Sequence, residues 1–253
     1  MGQTMVSFAG LNEGFRVRHI TASPLLTCSM SEDMDKASSR PEFEGIDQIP
    51  ITNGERIVAL WERVGKLKRP LDDSLLVSAD APLWEFIHTV HEQPYRLVVD
   101  KTKIAGIVTW SDLLKVPVFV LAFSLLAEVE LAMNRKILEQ YKDDSWVGLL
   151  DTKAQERVAF RRRKLDEKNL TLPPIEAADL WHKAKVLRAT LAASRDFDSD
   201  LEKVVKLRND VDHVKDIVQG DADLKGFVEH LETAESWLHI LNRPAMDSAG
   251  HRN

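Results

Sequence analysis

The stretch 73-DSLLVSADAPLWEFIHTVHEQPYRLVVDKTKIAGIVTWSD-112 can be written beneath 24-PLLTCSMSEDMDKASSRPEFEGIDQIPITNGERIVALWER-63, and the two then read as one unit repeated. Each copy offers a short apolar strand, a polar turn, a helix, a strand, a tight turn, a second strand and the start of another helix. In the first copy Gln48–Ile51 and Arg56–Trp61 read as the paired strands, with Asn53-Gly54 as the turn between them. Arg96–Val99 and Lys103–Val108 take those places in the second. The first copy is expected to have the slightly longer helix. The copies are expected to occupy about 17–66 and 67–116, within a first domain of 1–116.

Beyond that point the pattern turns helical. Helices are expected over Val118–Tyr141, Lys153–Lys168, Ile175–Ala192, Asp200–Val218 and Leu224–Leu241, giving an all-α bundle over 117–243 and a frayed tail over 244–253. Their ends have local signals: Pro173-Pro174 ahead of a helix, Ser199 and Glu202 as a capping box, Gly220 as a stop, Pro244 after the last turn. The fold class expected is therefore α+β, a pair of α/β repeats followed by helices.

Composition narrows the class of protein. A chain of 253 residues with 44% apolar residues can bury real cores. Cys28 is the single cysteine, so no intrachain disulfide is available, and the first residues carry no basic start followed by an apolar run. A cytoplasmic location is expected. The longest apolar run, Val116 to Ala127, is interrupted by Pro117 and closed by Lys115 and Glu128, short of the roughly 20 residues of a spanning helix, so no membrane partner is expected. A net charge of −6 excludes nucleic-acid binding through the whole surface but leaves local patches open, among them Arg161, Arg162, Arg163 and Lys164, which read first as a solvated helix face.

The strings 46-IDQIPI-51 and 104-IAGIVTWSDLL-114, set in this duplicated frame, resemble the CBS motif, which occurs in tandem pairs. The resemblance covers about 17–116 and implies a cleft for an adenosine-containing nucleotide such as AMP or ATP, acting as a regulatory ligand. It assigns Thr109 to the phosphate and Asp112 to the ribose hydroxyls, within a signature that starts at Gly106, and it places Leu76, Val77 and Leu97 around the base. Thr109 and Asp112 would also cap a helix with no ligand present. In the first copy the aligned residues are Ala59, Glu62 and Gly65, so that half lacks both the hydroxyl and the ribose carboxylate, and one competent site per chain is expected.

A second signal lies in 203-KVVKLRNDVDHVKDIV-218. An arginine followed by histidine after four to six intervening residues arises by chance about 1.6 times in a chain of this composition, and requiring asparagine directly after the arginine cuts that to about 0.04. On a helical wheel with Arg208 at zero, Val204, Leu207, Val211, Val214 and Val218 form a core-facing stripe, while Asn209 and His213 lie near about +100° and +140°. Leu201 and Val205 fall inside the polar arc, so a partner helix is expected to cover them.

This helix and its bundle resemble the HEPN superfamily, whose dimers form a metal-independent ribonuclease site from an Arg-x4–6-His motif. The resemblance implies a homodimer acting on RNA. Arg208 would stabilise the charge that builds on the phosphorane, Asn209 would orient the phosphate, and His213 would move the proton, leaving a 2′,3′-cyclic phosphate with no metal or cofactor required. Among the other histidines, His88 and His91 have no nearby cysteine, so no metal site is expected, and His182 beside Trp181 reads as a packing residue. The expected function is a nucleotide-regulated endoribonuclease. Two alternatives remain open: a non-catalytic nucleotide-sensing regulator whose helical half only dimerises or docks a partner, and a HEPN toxin held by an antitoxin.

Overall fold

The computed structural model describes residues 7–170, 172–190, 196–212 and 221–243. The chain divides into two compact units, one of Asn12–Val118 and the other of Phe119 onward together with the N-terminal residues up to Leu11. The first helix, α1 (Phe8–Gly14), therefore starts in the second unit, where Phe8 is buried and its N–H donates to Glu128 at 2.8 Å. The expected first domain included those residues; burial of Phe8 draws them to the helices.

In the first unit both copies form a parallel strand pair followed by an antiparallel one. Strands β1 (Cys28–Ser29), β2 (Gln48–Asn53) and β3 (Arg56–Glu62) make the first sheet with β4 (Leu67–Pro70), in that order. The second sheet is β5 (Leu76–Ser78), β6 (Tyr95–Asp100) and β7 (Lys103–Thr109). The duplication extends to irregularities. Thr52 faces Ile57 and Ile51 faces Ala59, which leaves Val58 as an extra residue; Val99 faces Ile104 and Val98 faces Gly106, which leaves Ala105 extra. This common register puts Ala59, Glu62 and Gly65 where the second copy has Gly106, Thr109 and Asp112.

Two expectations for the first copy are corrected. Its helix, α2 (Met34–Ala37), is shorter than α3 (Leu83–Thr89) of the second, because Pro41 holds Arg40 extended at φ −69° and ψ 147° and ends the helical run. No helix follows β3 either. Gly65 at φ 85° and Lys66 at φ 52° make a tight turn, and the chain returns as β4 with Leu67 opposite Glu62.

Leu60 of the first copy packs with Leu75, Tyr95 and Leu97 of the second, so the copies share one core. The segment before the first copy also closes on the second sheet. Ala22 and Ile107 exchange backbone hydrogen bonds of 2.8 and 3.1 Å. At Gly106 this approach leaves no room for a side chain: a Cβ would stand 2.2 Å from Thr21 Cγ2 and 2.7 Å from the Ala22 oxygen.

The second unit is helical. The long helix α4 (Val116–Gln140) begins in the first unit and supplies the spine of the second. It continues past Glu128, whose carboxylate accepts from the Phe8 N–H, and past Glu130, whose Oε1 accepts from the fully buried Lys183 at 2.6 Å. By length and composition alone α4 could cross a membrane, and half of its most apolar window is buried inside the protein. Helix α5 (Thr152–Glu167) is capped by Asp151, whose carboxylate accepts from Ala154 N–H. The helix expected over 175–192 is divided into a 3-10 turn, Pro174–Ala177, and α6 (Leu180–Thr190), because Ala178 is extended and Asp179 caps afresh through His182 N–H at 3.0 Å. Helix α7 (Phe197–Asp212) starts ahead of Ser199, which is thus inside the helix and not its cap. Helix α8 (Asp221–Leu241) packs on α7, with Phe197 stacked on Trp237 at 5.1 Å. Gly220 and Pro244 lie outside the described residues.

Substituting Gly106 with alanine is expected to destabilise the first unit by about 1–3 kcal/mol, read by urea unfolding, since the nearest obstacle includes backbone that cannot step aside. The helical unit carries a pH signature. Burial lowers the pKa of His182, and of His230 beside Lys206. Both histidines stay neutral in the folded unit below histidine's usual value of about 6.5, where the unfolded chain takes up protons. Their contribution to stability is thus full above that value and lost as pH falls below it, and His230→Gln should flatten that fall in denaturant titrations across this range.

Candidate functional site

The second copy ends β7 at Thr109, which has extended dihedrals and caps a 3-10 turn, Trp110–Leu114. Asp112 folds back onto that cap. Its Oδ2 accepts from the Thr109 N–H at 2.6 Å and from the Thr109 hydroxyl at 3.1 Å. Its Oδ1 receives the Lys115 ammonium at 2.7 Å, and the same ammonium donates to the Ile20 carbonyl at 2.5 Å. The carboxylate is only 6% exposed. Sequence signals for this cap are clear, because Thr-x-x-Asp is a capping box. The lock supplied by Lys115 was not foreseen, although its spacing from Asp112 could have suggested it.

The geometry weighs on each nucleotide residue. Thr109 is half-buried, and its hydroxyl lies 2.8 Å from that of the exposed Ser111, so two hydroxyls stand together at the mouth of the turn. Asp112 has both oxygens engaged, so a ribose diol could bind it only by displacing Lys115 or Thr109. Leu97 is fully buried in the core shared by the copies, where it cannot contact a ligand without that core opening; Leu76 packs partly buried against the same core, and Val77 is half-buried. Gly106 is accounted for by the close approach of Thr21 and Ala22.

At the equivalent place in the first copy, Glu62 is engaged by side chains of the second. The Tyr95 hydroxyl donates to Glu62 Oε1, Arg69 donates to the Tyr95 oxygen at 3.1 Å and reaches Glu62 at 3.9 Å, and a further Arg69 nitrogen lies 3.3 Å from Ser74 Oγ. Burial raises the pKa of Tyr95, and its hydrogen bond to Glu62 adds to that. Sequence reasoning did not find this cluster, which joins residues of both copies through folding alone.

On α7, Arg208 and Asn209 are both exposed, while His213 lies outside the described residues. Asp210, between them, is committed to the helix pair through Lys206 at 3.2 Å and His230 at 3.9 Å. Leu201 is 2% exposed and Val205 half-buried, which corrects the apolar patch expected beside Arg208. Both α6 and α8 pack on α7 and widen its buried arc to include Leu201. His182 is 3% exposed and His88 lies edge-on to Trp84 at 5.1 Å. Among the described residues no three of His, Cys, Asp and Glu gather where a metal ion could sit.

Residues 64–118 match the family model of the CBS domain, and that match ends where the first compact unit ends. No curated protein matches the sequence. Similar solved structures include Hypoxic Response Protein I with two coordinated zinc ions, at 17% identity and a TM-score of 0.31, covering 39% of this chain and 96% of that one. A hemolysin-like protein containing a CBS domain, from Oenococcus oeni PSU, is 15% identical with a TM-score of 0.34, over 42% of this chain and 92% of that one. Protein MJ1004 from Methanocaldococcus jannaschii is 15% identical with a TM-score of 0.38, over 88% of this chain and all (100%) of that one. Residues 64–118 are thus similar to the CBS domain, over a stretch in which β5 pairs with β6 and β6 with β7.

Proposed function

We propose that this chain is a nucleotide-responsive regulator whose second repeat takes one adenine nucleotide. The observation that carries this reading is the junction of Thr109, Ser111 and Asp112 in a matched CBS domain, set against a first copy that turns back as β4 at the same register. CBS domains commonly bind adenine nucleotides as regulatory ligands. Hydroxyls at the turn suit a phosphate, and the Asp112 carboxylate suits a ribose diol once Lys115 lets go. Lys115 directly precedes Val116, the first residue of α4. A ligand that exchanges the Asp112–Lys115 contact therefore acts on the start of the helix that continues into the second unit, and its regulatory effect equals its difference in affinity for the two arrangements.

A second reading keeps catalysis in the helical unit. Arg208 and Asn209 are exposed side by side, free to meet a phosphate, and Arg208 has no ion pair with any described residue. With His213 as the proton carrier this is the metal-independent endoribonuclease of a HEPN-like homodimer, regulated by the CBS pair, or a toxin of that type held by a partner protein.

Calorimetry with AMP and ATP should give about one site per chain, with Asp112→Asn at least about tenfold weaker and Glu62→Gln unchanged. Asp112→Asn should also lower the stability of the first unit by about 1–3 kcal/mol by weakening its cap and the Lys115 contact. Absence of any nucleotide binding by the folded chain overturns the regulator reading. For the second reading, a labelled RNA incubated with EDTA should be cut by the wild type and spared by both Arg208→Ala and His213→Ala; an uncut RNA with nucleotide present and absent removes it.

A further inference from the structure

Helices α5 and α6 carry a surface that neither the nucleotide site nor Arg208 uses. Lys153, Glu156, Arg157, Phe160 and Arg161 recur at helical spacing along one face of α5 and line a shallow, open depression of about 370 Å³. The Phe160 ring is 54% exposed, with Arg163 and Lys164 each 5.9 Å from its centroid. Trp181 on α6 is 44% exposed, with Lys185 at 6.0 Å from its ring. Two ion pairs join the two helices here, Lys185 to Asp151 at 3.0 Å and Arg161 to Asp179 at 3.3 Å. Three basic residues and one acidic residue line the depression. His182 beneath it is held neutral first by burial, and although Asp179 opposes this, Arg161, Lys185 and Arg157 all reinforce it.

We propose that the α5–α6 surface binds single-stranded nucleic acid, with bases stacked on Phe160 and Trp181 and phosphates held by Lys153, Arg157 and Arg161. Unpaired bases need exposed aromatic faces flanked by cations, and this is what the two rings present. Lys153, Arg157 and Arg163 have no ion pair with a described residue, so they meet a phosphate without giving up a carboxylate. The pair of Arg162 with Asp144 at 2.8 Å is exposed, and exposed pairs contribute little stability, so exchanging it for phosphate costs little. An acidic peptide would satisfy the cations but would have no use for the rings. Duplex nucleic acid hides its base faces and would leave the rings uncovered.

Fluorescence anisotropy of the full chain with a labelled single-stranded RNA of about 16 nucleotides tests this, against its duplex and a glutamate-rich peptide. Binding should weaken steeply between about 50 and 200 mM salt. Phe160→Ala and Trp181→Ala should each weaken it about fivefold or more, Phe160→Trp should retain it, and Arg157→Glu should reduce it further. The side chains are largely solvent-facing, and matched thermal melts separate loss of binding from loss of fold. If an alanine variant melts early, the comparison of Phe160→Trp with Phe160→Gln decides instead. Equal binding of the peptide or the duplex, no binding at low salt, or ring variants that bind like the wild type would each overturn the proposal. The readout is binding, so RNA held but never cut removes the ribonuclease reading and leaves this one standing.

Discussion

The buried carboxylate of Asp112 is the contact on which the first unit turns. A charge at 6% exposure is tolerable only when its oxygens are occupied, and here one oxygen starts the turn after β7 while the other holds Lys115. Through Lys115 the same contact reaches the Ile20 carbonyl, tying down the segment whose next residues pair with Ile107. Strand end, helix start and N-terminal segment thus depend on one side chain. The same economy makes it a candidate switch, because anything that competes for the carboxylate disturbs all three.

Duplication with divergence explains the contrast between the copies. The shared register, with its extra residue at Val58 and at Ala105, shows one backbone plan used twice. Replacing the cap of the second copy by Gly65 and Lys66 converts a helix start into a hairpin, and Glu62 then has Tyr95 and Arg69 as partners. In the helical unit a similar absorption of charge lets α4 run unbroken. Glu128 and Glu130 sit in the middle of an apolar helix, yet each meets a donor from elsewhere in that unit, and removing the half-buried Glu130 would leave the buried Lys183 ammonium without its counter-charge.

The readings of function sit on different footing for the same physical reason. The CBS match rests on a string of residues adjacent in sequence, which a strand and a turn keep adjacent in space. The trio of Arg208, Asn209 and His213 is a proposal about side chains on one helix and about a second copy, and only Arg208 and Asn209 fall among the described residues. Aromatic and basic residues on α5 and α6 were legible singly, with Arg161 to Lys164 read as a solvated face; that ion pairs from Arg161 to Asp179 and from Lys185 to Asp151 join the two helices required the tertiary structure.

Alternation and turn chemistry in the sequence by themselves determined the paired strands of each copy, the Asn53-Gly54 turn and the capping box at Thr109, because these interactions span only a few residues. Helical periodicity likewise determined that helices dominate the described residues beyond 116. Tertiary structure alone decided the length of the first copy's helix, the appearance of β4, the burial of Leu97 and Leu201, and the need for glycine at position 106. Each of those outcomes depends on what arrives from far along the chain: Thr21 and Ala22 against Gly106, Leu60 against Leu97, α6 and α8 around α7. Local pattern states which face of an element is apolar, and only packing states how much of that face is covered.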